Sequence, residues 1–254
     1  MKLSEDELRG KLATFGNWMY KFDFTENVTT PLMSKEFLKV HETRKKMIFS
    51  KLDRLYEGKW DQVDCLDIAC NEGFYSFEIA KREARRIVGF DARQINIEKA
   101  NFVRDYFGYN NAEFFTADIE TLDIQKQGNF EIVFLLGLLY HVENPMLVLR
   151  KTRDLTRGIC VIDTQVTRFN SKITMGFGCK GFDKETLDTI GVIEEFNYKE
   201  DITASVTGLS FVPNKSALLT MLRYAGFSKV EIIEPFPDSY EQYANFDRLI
   251  LIAK

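Results

Sequence analysis

Residues 63–82 read VDCLDIACNEGFYSFEIAKR. An apolar run starting at Val63 suits a strand. From Phe74 the apolar residues recur at helical spacing. Between them, Asp67 to Gly73 forms a tight turn that ends in glycine. A strand, a glycine turn and a helix is the arrangement with which many α/β proteins grip a nucleotide. A turn built for phosphate carries successive glycines, as in G-x-G-x-x-G or G-x-x-x-x-G-K-[ST]. Here only Gly73 is present, and Glu72 sets a negative charge at the helix N-terminus, where a phosphate would sit. Both features count against NAD and ATP and favour a nucleoside cofactor without phosphate.

The same rhythm continues outward. RIVGFDA (86–92), AEFFTAD (112–118), FEIVFLLG (130–137) and GICVIDT (158–164) read as strands. Helices are expected over 74–83, 95–107 and 144–155. Alternating strands and helices predict a parallel sheet with helices on both faces. The nearly continuous apolar character of the middle strands fits a sheet covered on both sides. PNKSALLTMLRYAGF (213–227) reads as a helix closed by Gly226. KVEII (229–233) and RLILIAK (248–254) close the chain as two strands around a hairpin-like connection, so the last strand is expected to be antiparallel.

Before the first strand, residues 1–58 read as a helical cap, followed by one α/β domain over 59–254. Ser4 and Glu7 form a capping box, and Leu8, Leu12 and Phe15 share a face. A second helix is expected from Ser34 to Leu55, with Phe37, Val40, Met47, Ile48, Leu52 and Leu55 inward. Residues 165–212 break the rhythm with glycines, charges and weak periodicity. They read as an insertion after the fifth strand, over the ligand-binding edge of the sheet.

Composition narrows the class. Of 254 residues, 45% are apolar, enough for a sizeable core. A net charge of −4 gives no general attraction to nucleic acid. No run approaches the roughly 18 apolar residues of a membrane span, and acidic residues interrupt the N-terminal stretch where a signal peptide would be apolar. Cys65, Cys70, Cys160 and Cys179 lack metal-finger spacing, and no metal is expected. These features predict a soluble, cytoplasmic protein; they say nothing of its oligomeric state.

In an open parallel sheet, ligands bind beyond the carboxyl ends of the strands. Asp67, Ala69, Cys70, Asn71 and Gly73 follow the first strand. Asp91 and Ala92 end the second, in position to accept from ribose hydroxyls. Asp118 and Ile119 follow the third, where an aspartate can accept from an exocyclic amine such as that of adenine. Leu136 and the segment GLLYH (137–141) end the fourth, and Asp163 ends the fifth. Aspartates in such places also serve as simple helix caps; three at consecutive strand ends point to a nucleoside.

Together, VDCLDIACNEGFYSFEIAKR, IVGFDAR, TADIETL and FEIVFLLGLLYHVENPMLVLRKTRDLTRG resemble the class I S-adenosylmethionine-dependent methyltransferases. The usual first motif has glycines where this chain has Ala69 and Asn71; Gly73 and the acid Asp67 match. GLLYHVENP and VPNKSALLTMLRYAGF are most similar to the branch that contains the tRNA wobble-uridine carboxymethyltransferase and its small-molecule-modifying relatives. The resemblance implies a doubly wound, Rossmann-like, mostly parallel seven-stranded sheet, with S-adenosylmethionine as cofactor. It implies that the 67–73 loop holds the methionine portion, that Asp91 takes the ribose and that Asp118 and Ile119 take the adenine. In the carboxymethyl enzyme a Tyr and an Arg help bind a carboxylated cofactor; Tyr140 and Arg248 match them, and Lys21 is the nearest counterpart of its Lys.

For chemistry, His141 lies just past the fourth strand and could take a proton near neutral pH; it could equally brace its loop by bonding backbone. Tyr140 would line the acceptor pocket or meet the sulfonium face-on. His41 reads as a packed residue. Trp18, Tyr20, Phe22 and Phe24 fit a lid or pocket wall as well as core. Arg168, Lys172 and Lys180 in the insertion could meet an acidic acceptor. The expected reaction is methyl transfer to oxygen or nitrogen of a small molecule. The rivals are a tRNA carboxymethyltransferase, an NAD-dependent oxidoreductase and a non-catalytic sensor.

Overall fold

The computed structural model describes residues 3–169, 173–175, 184–186, 188–195, 205 and 207–254. Two helices come first, α1 (Glu5–Thr14) and α2 (Glu36–Leu55). The alternating half follows as β1 (Asp64–Ile68), α3 (Phe74–Ala80), β2 (Arg86–Asp91), α4 (Gln94–Phe107), β3 (Ala112–Thr116), β4 (Phe130–Leu136), α5 (Pro145–Leu155) and β5 (Thr156–Gln165). Two short antiparallel pairs lie in the insertion, β6 (Ile173–Met175) with β7 (Lys184–Thr186) and β8 (Ile190–Glu194) with β9 (Leu209–Pro213). The chain ends with α6 (Lys215–Ala225), β10 (Val230–Ile232), α7 (Glu241–Ala244) and β11 (Arg248–Ala253).

The seven-stranded sheet has the order β10-β11-β5-β4-β1-β2-β3. β1 pairs in parallel with both β2 and β4, so Asp67 stands opposite Gly89 on one side and Phe134 on the other. The order reverses on either side of β1, which opens a crevice at the carboxyl ends of β1 and β4. β11 is antiparallel, as expected, but it inserts between β5 and β10.

Strand periodicity divides the core into two layers. Leu66, Val133 and Ile162 face α5 and α6, whereas Cys65, Ile132 and Phe134 face α3, α4 and the N-terminal helices. α1 carries the capping box, with Glu7 N–H donating to Ser4 and the Ser4 N–H to Glu7. α2 buries Val40, Met47, Ile48 and Leu52, but Leu55, expected inward, is exposed in its last position. Gly89 has a packing reason: a Cβ there would stand 2.7 Å from the Phe114 ring. Among the described residues no helix is long and apolar enough to cross a membrane.

The segment between α1 and α2 is tied down by a buried ion pair. Glu72 is wholly buried and accepts from the Met19 N–H at 3.0 Å, the Tyr20 N–H at 3.0 Å and Lys99 Nζ at 2.9 Å. Lys99 also donates to the Asn17 carbonyl at 2.6 Å. The Glu72 charge therefore faces the N-terminal segment and not the crevice, which corrects the sequence argument that it would repel a phosphate. Trp18, expected to line an acceptor pocket, is fully buried instead, edge-on to Phe15 and Phe22 with Lys99 over its ring. Phe22 and Phe24 join the same core.

Removing one partner of a buried ion pair strands the other, a loss of about 3–5 kcal/mol. Glu72→Ala should lower the stability measured by urea unfolding by that amount. A loss under about 1 kcal/mol would show that Lys99 finds water or another acceptor.

Candidate active site

The loop after β1 takes a glycine-type path with almost no glycine. Ala69 has φ 54° and Asn71 φ 50°, both left-handed, and Gly73 follows at φ 78°. Left-handed backbone costs an L-residue about 1–2 kcal/mol, less for asparagine. The path is held by two bonds to β2 and one within the loop. Cys70 N–H donates to the Phe90 carbonyl at 2.9 Å, Gly73 N–H to the Cys70 carbonyl at 2.9 Å and Asn71 N–H to Asp91 Oδ2 at 2.9 Å. Gly73 has no substitute, because a Cβ would meet Phe77 at 2.8 Å.

This loop borders a cavity of about 380 Å³ at the crevice, within the range of small-molecule sites. Ala69, Asn71, Asp91, Ala92 and Leu136 line it, and so do Asp118 and Ile119 beyond β3. Asp67, Cys70 and Gly73 do not line it. Asp67 accepts from the Ser76 hydroxyl at 2.6 Å, and burial pushes its carboxyl up to about 7. Asn71 Oδ1 is buried without a hydrogen-bond partner, an acceptor left open on a cavity-lining residue.

Asp91 does more than end a strand. Its Oδ1 accepts from the Arg93 N–H at 2.9 Å and Asn96 Nδ2 at 3.0 Å, and its Oδ2 from the loop N–H of Asn71. Of about four lone-pair sites on a carboxylate, three are used and one remains. Burial pushes this carboxyl up, against the pull of those three donors. The sequence placed Asp91 as an acceptor for ribose hydroxyls; it is also buried and ties the loop to the start of α4.

The far wall is built around Asp163, fully buried at the end of β5. Arg44 from α2 reaches its Oδ2 at 2.9 Å, Arg248 Nη1 at 2.6 Å, and the Tyr243 hydroxyl donates to Oδ1 at 2.8 Å. Arg248 Nη2 also donates to the Tyr140 hydroxyl at 2.7 Å. Two guanidiniums share one carboxylate, so this wall carries a surplus positive charge. Tyr20 stacks on Phe74 at 4.9 Å and lies against His41. Burial, with Arg44 and Arg248 nearby, takes the His41 pKa down to about 2, so His41 is neutral.

His141 lies in a 3-10 turn, Leu139–His141, and lines the cavity beside Tyr140. Its Nδ1 stands 3.2 Å from Glu195 Oε1, one residue past β8, and among the described residues the ring makes no backbone bond of the kind a loop brace would need. Burial lowers its pKa; Glu195 opposes, and Arg248 and Arg93 add to the lowering.

The structure thus brings Tyr20, Tyr140, His141 and Arg248 together with the nucleoside-side residues; besides Asp67, Cys70 and Gly73, it leaves Trp18 and Arg168 off the cavity wall. Trp18 is core. Arg168 is 67% exposed, pairs with Asp247 and does not line the cavity. Lys172, Lys180 and Cys179 lie outside the described residues. Sequence reasoning missed Arg44, Asn96 and Glu195. Arg44 had a signal: it interrupts the inward stripe Val40–Met47–Ile48 of α2, where a charge needs a partner.

A methyltransferase-domain family profile matches residues 60–226. The tRNA U34 carboxymethyltransferase of Desulfotalea psychrophila is 26% identical over 198 residues, which cover 73% of this chain and 55% of that protein. The one of Aliarcobacter butzleri is 27% identical over 182 residues, covering 72% and 52%. The chain spans about half the length of the curated relatives it matches. Among solved structures, the N-terminal domain of EvdMO1 with SAH bound has the same fold, with a TM-score of 0.76 at 19% identity, covering 100% of this chain and 98% of that one. The profile takes in the β1 loop, the Asp91 and Asp118 strand ends and the Tyr140–His141 turn; the chain belongs to the methyltransferase-domain family, among the class I S-adenosylmethionine-dependent methyltransferases.

Proposed function

We propose that this chain transfers a methyl group from S-adenosylmethionine to an oxygen or nitrogen of a small acceptor. The observation that carries this reading is the single cavity wall formed by the β1 loop, Asp91 and Asp118–Ile119, facing Tyr140 and His141 across the crevice. The residues fit the cofactor. Asp91 keeps one acceptor site for a ribose hydroxyl. Asp118 accepts from the Glu120 N–H at 2.9 Å and retains acceptor capacity for an adenine amine, beside the apolar Ile119. The open Asn71 oxygen and the loop backbone suit the polar methionine end. Bound there, S-adenosylmethionine supplies an electrophilic methyl carbon on a sulfonium. The protein's part is to align acceptor and methyl group, which alone can supply much of the acceleration.

The cavity's size and the chain's net charge of −4 favour a small acceptor over RNA. A second reading has one observation behind it. Arg44 and Arg248 leave a surplus positive charge beside the Tyr140 hydroxyl, which suits a carboxylate, including that of a carboxylated cofactor. The mass of the ligand that copurifies separates the two: ordinary cofactor or its demethylated product for the first, a carboxylated sulfonium for the second.

S-adenosylhomocysteine at about 100 times its Kd should add roughly 2.7 kcal/mol of stability. For a chain of this size the Tm should rise by roughly 5–10 °C, and NAD should leave it unmoved. A shift with NAD alone would overturn the cofactor assignment. Asp91→Ala should act twice. Cofactor affinity should fall by about 1.5–3 kcal/mol as a charge-assisted contact is lost. Unfolding stability should also fall, by about 1–3 kcal/mol, because three donors lose their acceptor. Calorimetric titration beside urea unfolding reads both; lost stability with full affinity would leave Asp91 as a brace only.

A further inference from the structure

We infer that Glu195 is the positioning residue for a base: it holds His141 with Nδ1 protonated, so that Nε2 faces the acceptor with its lone pair free. This rests on the methyltransferase reading and adds to it a residue from the insertion.

The geometry fixes the direction of the bond. Glu195 Oε2 accepts from the Ser205 N–H at 2.7 Å, and Oε1 accepts from the Ser210 hydroxyl as well as facing His141 Nδ1 at 3.2 Å. Three partners hold this carboxylate in place. Burial would raise its pKa, but the bonds from Ser210, Ser205 and His141 outweigh that and keep it below the usual range. An ionised carboxylate only accepts, so Nδ1 must donate. Nε2 has no hydrogen-bond partner among the described residues, and the ring lines the cavity. β9, which carries Ser210 and pairs with β8 just ahead of Glu195, packs against the turn that bears His141.

The charges around the ring come from three places. Glu195 belongs to the insertion, Arg248 to β11, and Arg93 stands ahead of α4. Burial and the two arginines keep the imidazole neutral at neutral pH, the form able to accept a proton. Glu195 offsets the charge once the proton arrives. In the transfer step the acceptor oxygen or nitrogen bonds the methyl carbon as its own proton passes to Nε2. The carbon–sulfur bond breaks with its electron pair left on sulfur, which turns from sulfonium to neutral thioether. The imidazolium then loses its proton to solvent. No further reactant is needed.

The chain has two histidines, and His41 does not titrate in the working range, so the histidine resonances that move with pH belong to His141. Nitrogen chemical shifts of the full chain with labelled histidine, titrated from about pH 4 to 8, read its tautomer and pKa. The expected result is protonated Nδ1 and bare Nε2 at neutral pH in the unmodified protein. Glu195→Gln keeps the shape and loses the charge, and should lower the His141 pKa by about one unit. Diethyl pyrocarbonate, which acylates an accessible unprotonated imidazole nitrogen, should modify one histidine, and His141→Gln should abolish that reaction. A proton on Nε2 in the unmodified protein, an unmoved pKa in Glu195→Gln, or no acylated histidine would overturn the assignment. Calorimetric titration of the same samples with S-adenosylhomocysteine keeps the two claims apart. Absence of binding defeats the methyltransferase reading whatever the tautomer, and binding with the wrong tautomer defeats the pair alone.

Discussion

The Asp163 carboxylate is the point on which the cleft depends. It is wholly buried, and it receives Arg44 from α2, Tyr243 from α7 and Arg248 from β11. Through Arg248 it also fixes the Tyr140 hydroxyl. An N-terminal helix, the last strand and the turn after β4 thus meet on one side chain. Without it two guanidiniums would lie close together with no counter-ion, a cost that buried charges do not tolerate. The position of the whole far wall follows from satisfying that carboxylate.

The near wall rests on a different constraint. The β1 loop follows a left-handed path at Ala69 and Asn71, and its neighbours impose that path: Phe90 through its carbonyl and Asp91 through its carboxylate. The backbone shape that other sequences reach with glycine is reached here by hydrogen bonds from β2. Behind it, Glu72 and Lys99 anchor residues 17–20. The cap is therefore stitched to the loop by buried polar contacts as well as by the aromatic core.

What could be read in the sequence was local. The alternation from Val63 to Thr164 gave the strands and their order of use, because period and apolarity are carried by neighbouring residues. The aspartates at strand ends could be found once the strands were placed, since crevice position follows from topology. What could not be read depended on partners far along the chain. Glu72 finds Met19, Arg44 finds Asp163, and His141 finds Glu195 in a segment without periodicity. Trp18 and Arg168 failed for the same reason. An aromatic or a cation looks the same in sequence whether it faces a ligand, a core or an exposed aspartate, and only the fold distinguishes them. Asp91 was found but half understood: its place was legible, its three bonds were not.

The scarcity of glycine in the β1 loop also changes the ligand-free protein. A glycine samples many backbone states and must surrender them when a ligand orders it. Alanine and asparagine at positions 69 and 71 have fewer states to give up, and β2 already holds them in the shape required. The entropy of ordering this wall is met during folding and not at each encounter with the cofactor. The loop-side wall therefore asks little further ordering of whatever cofactor it receives.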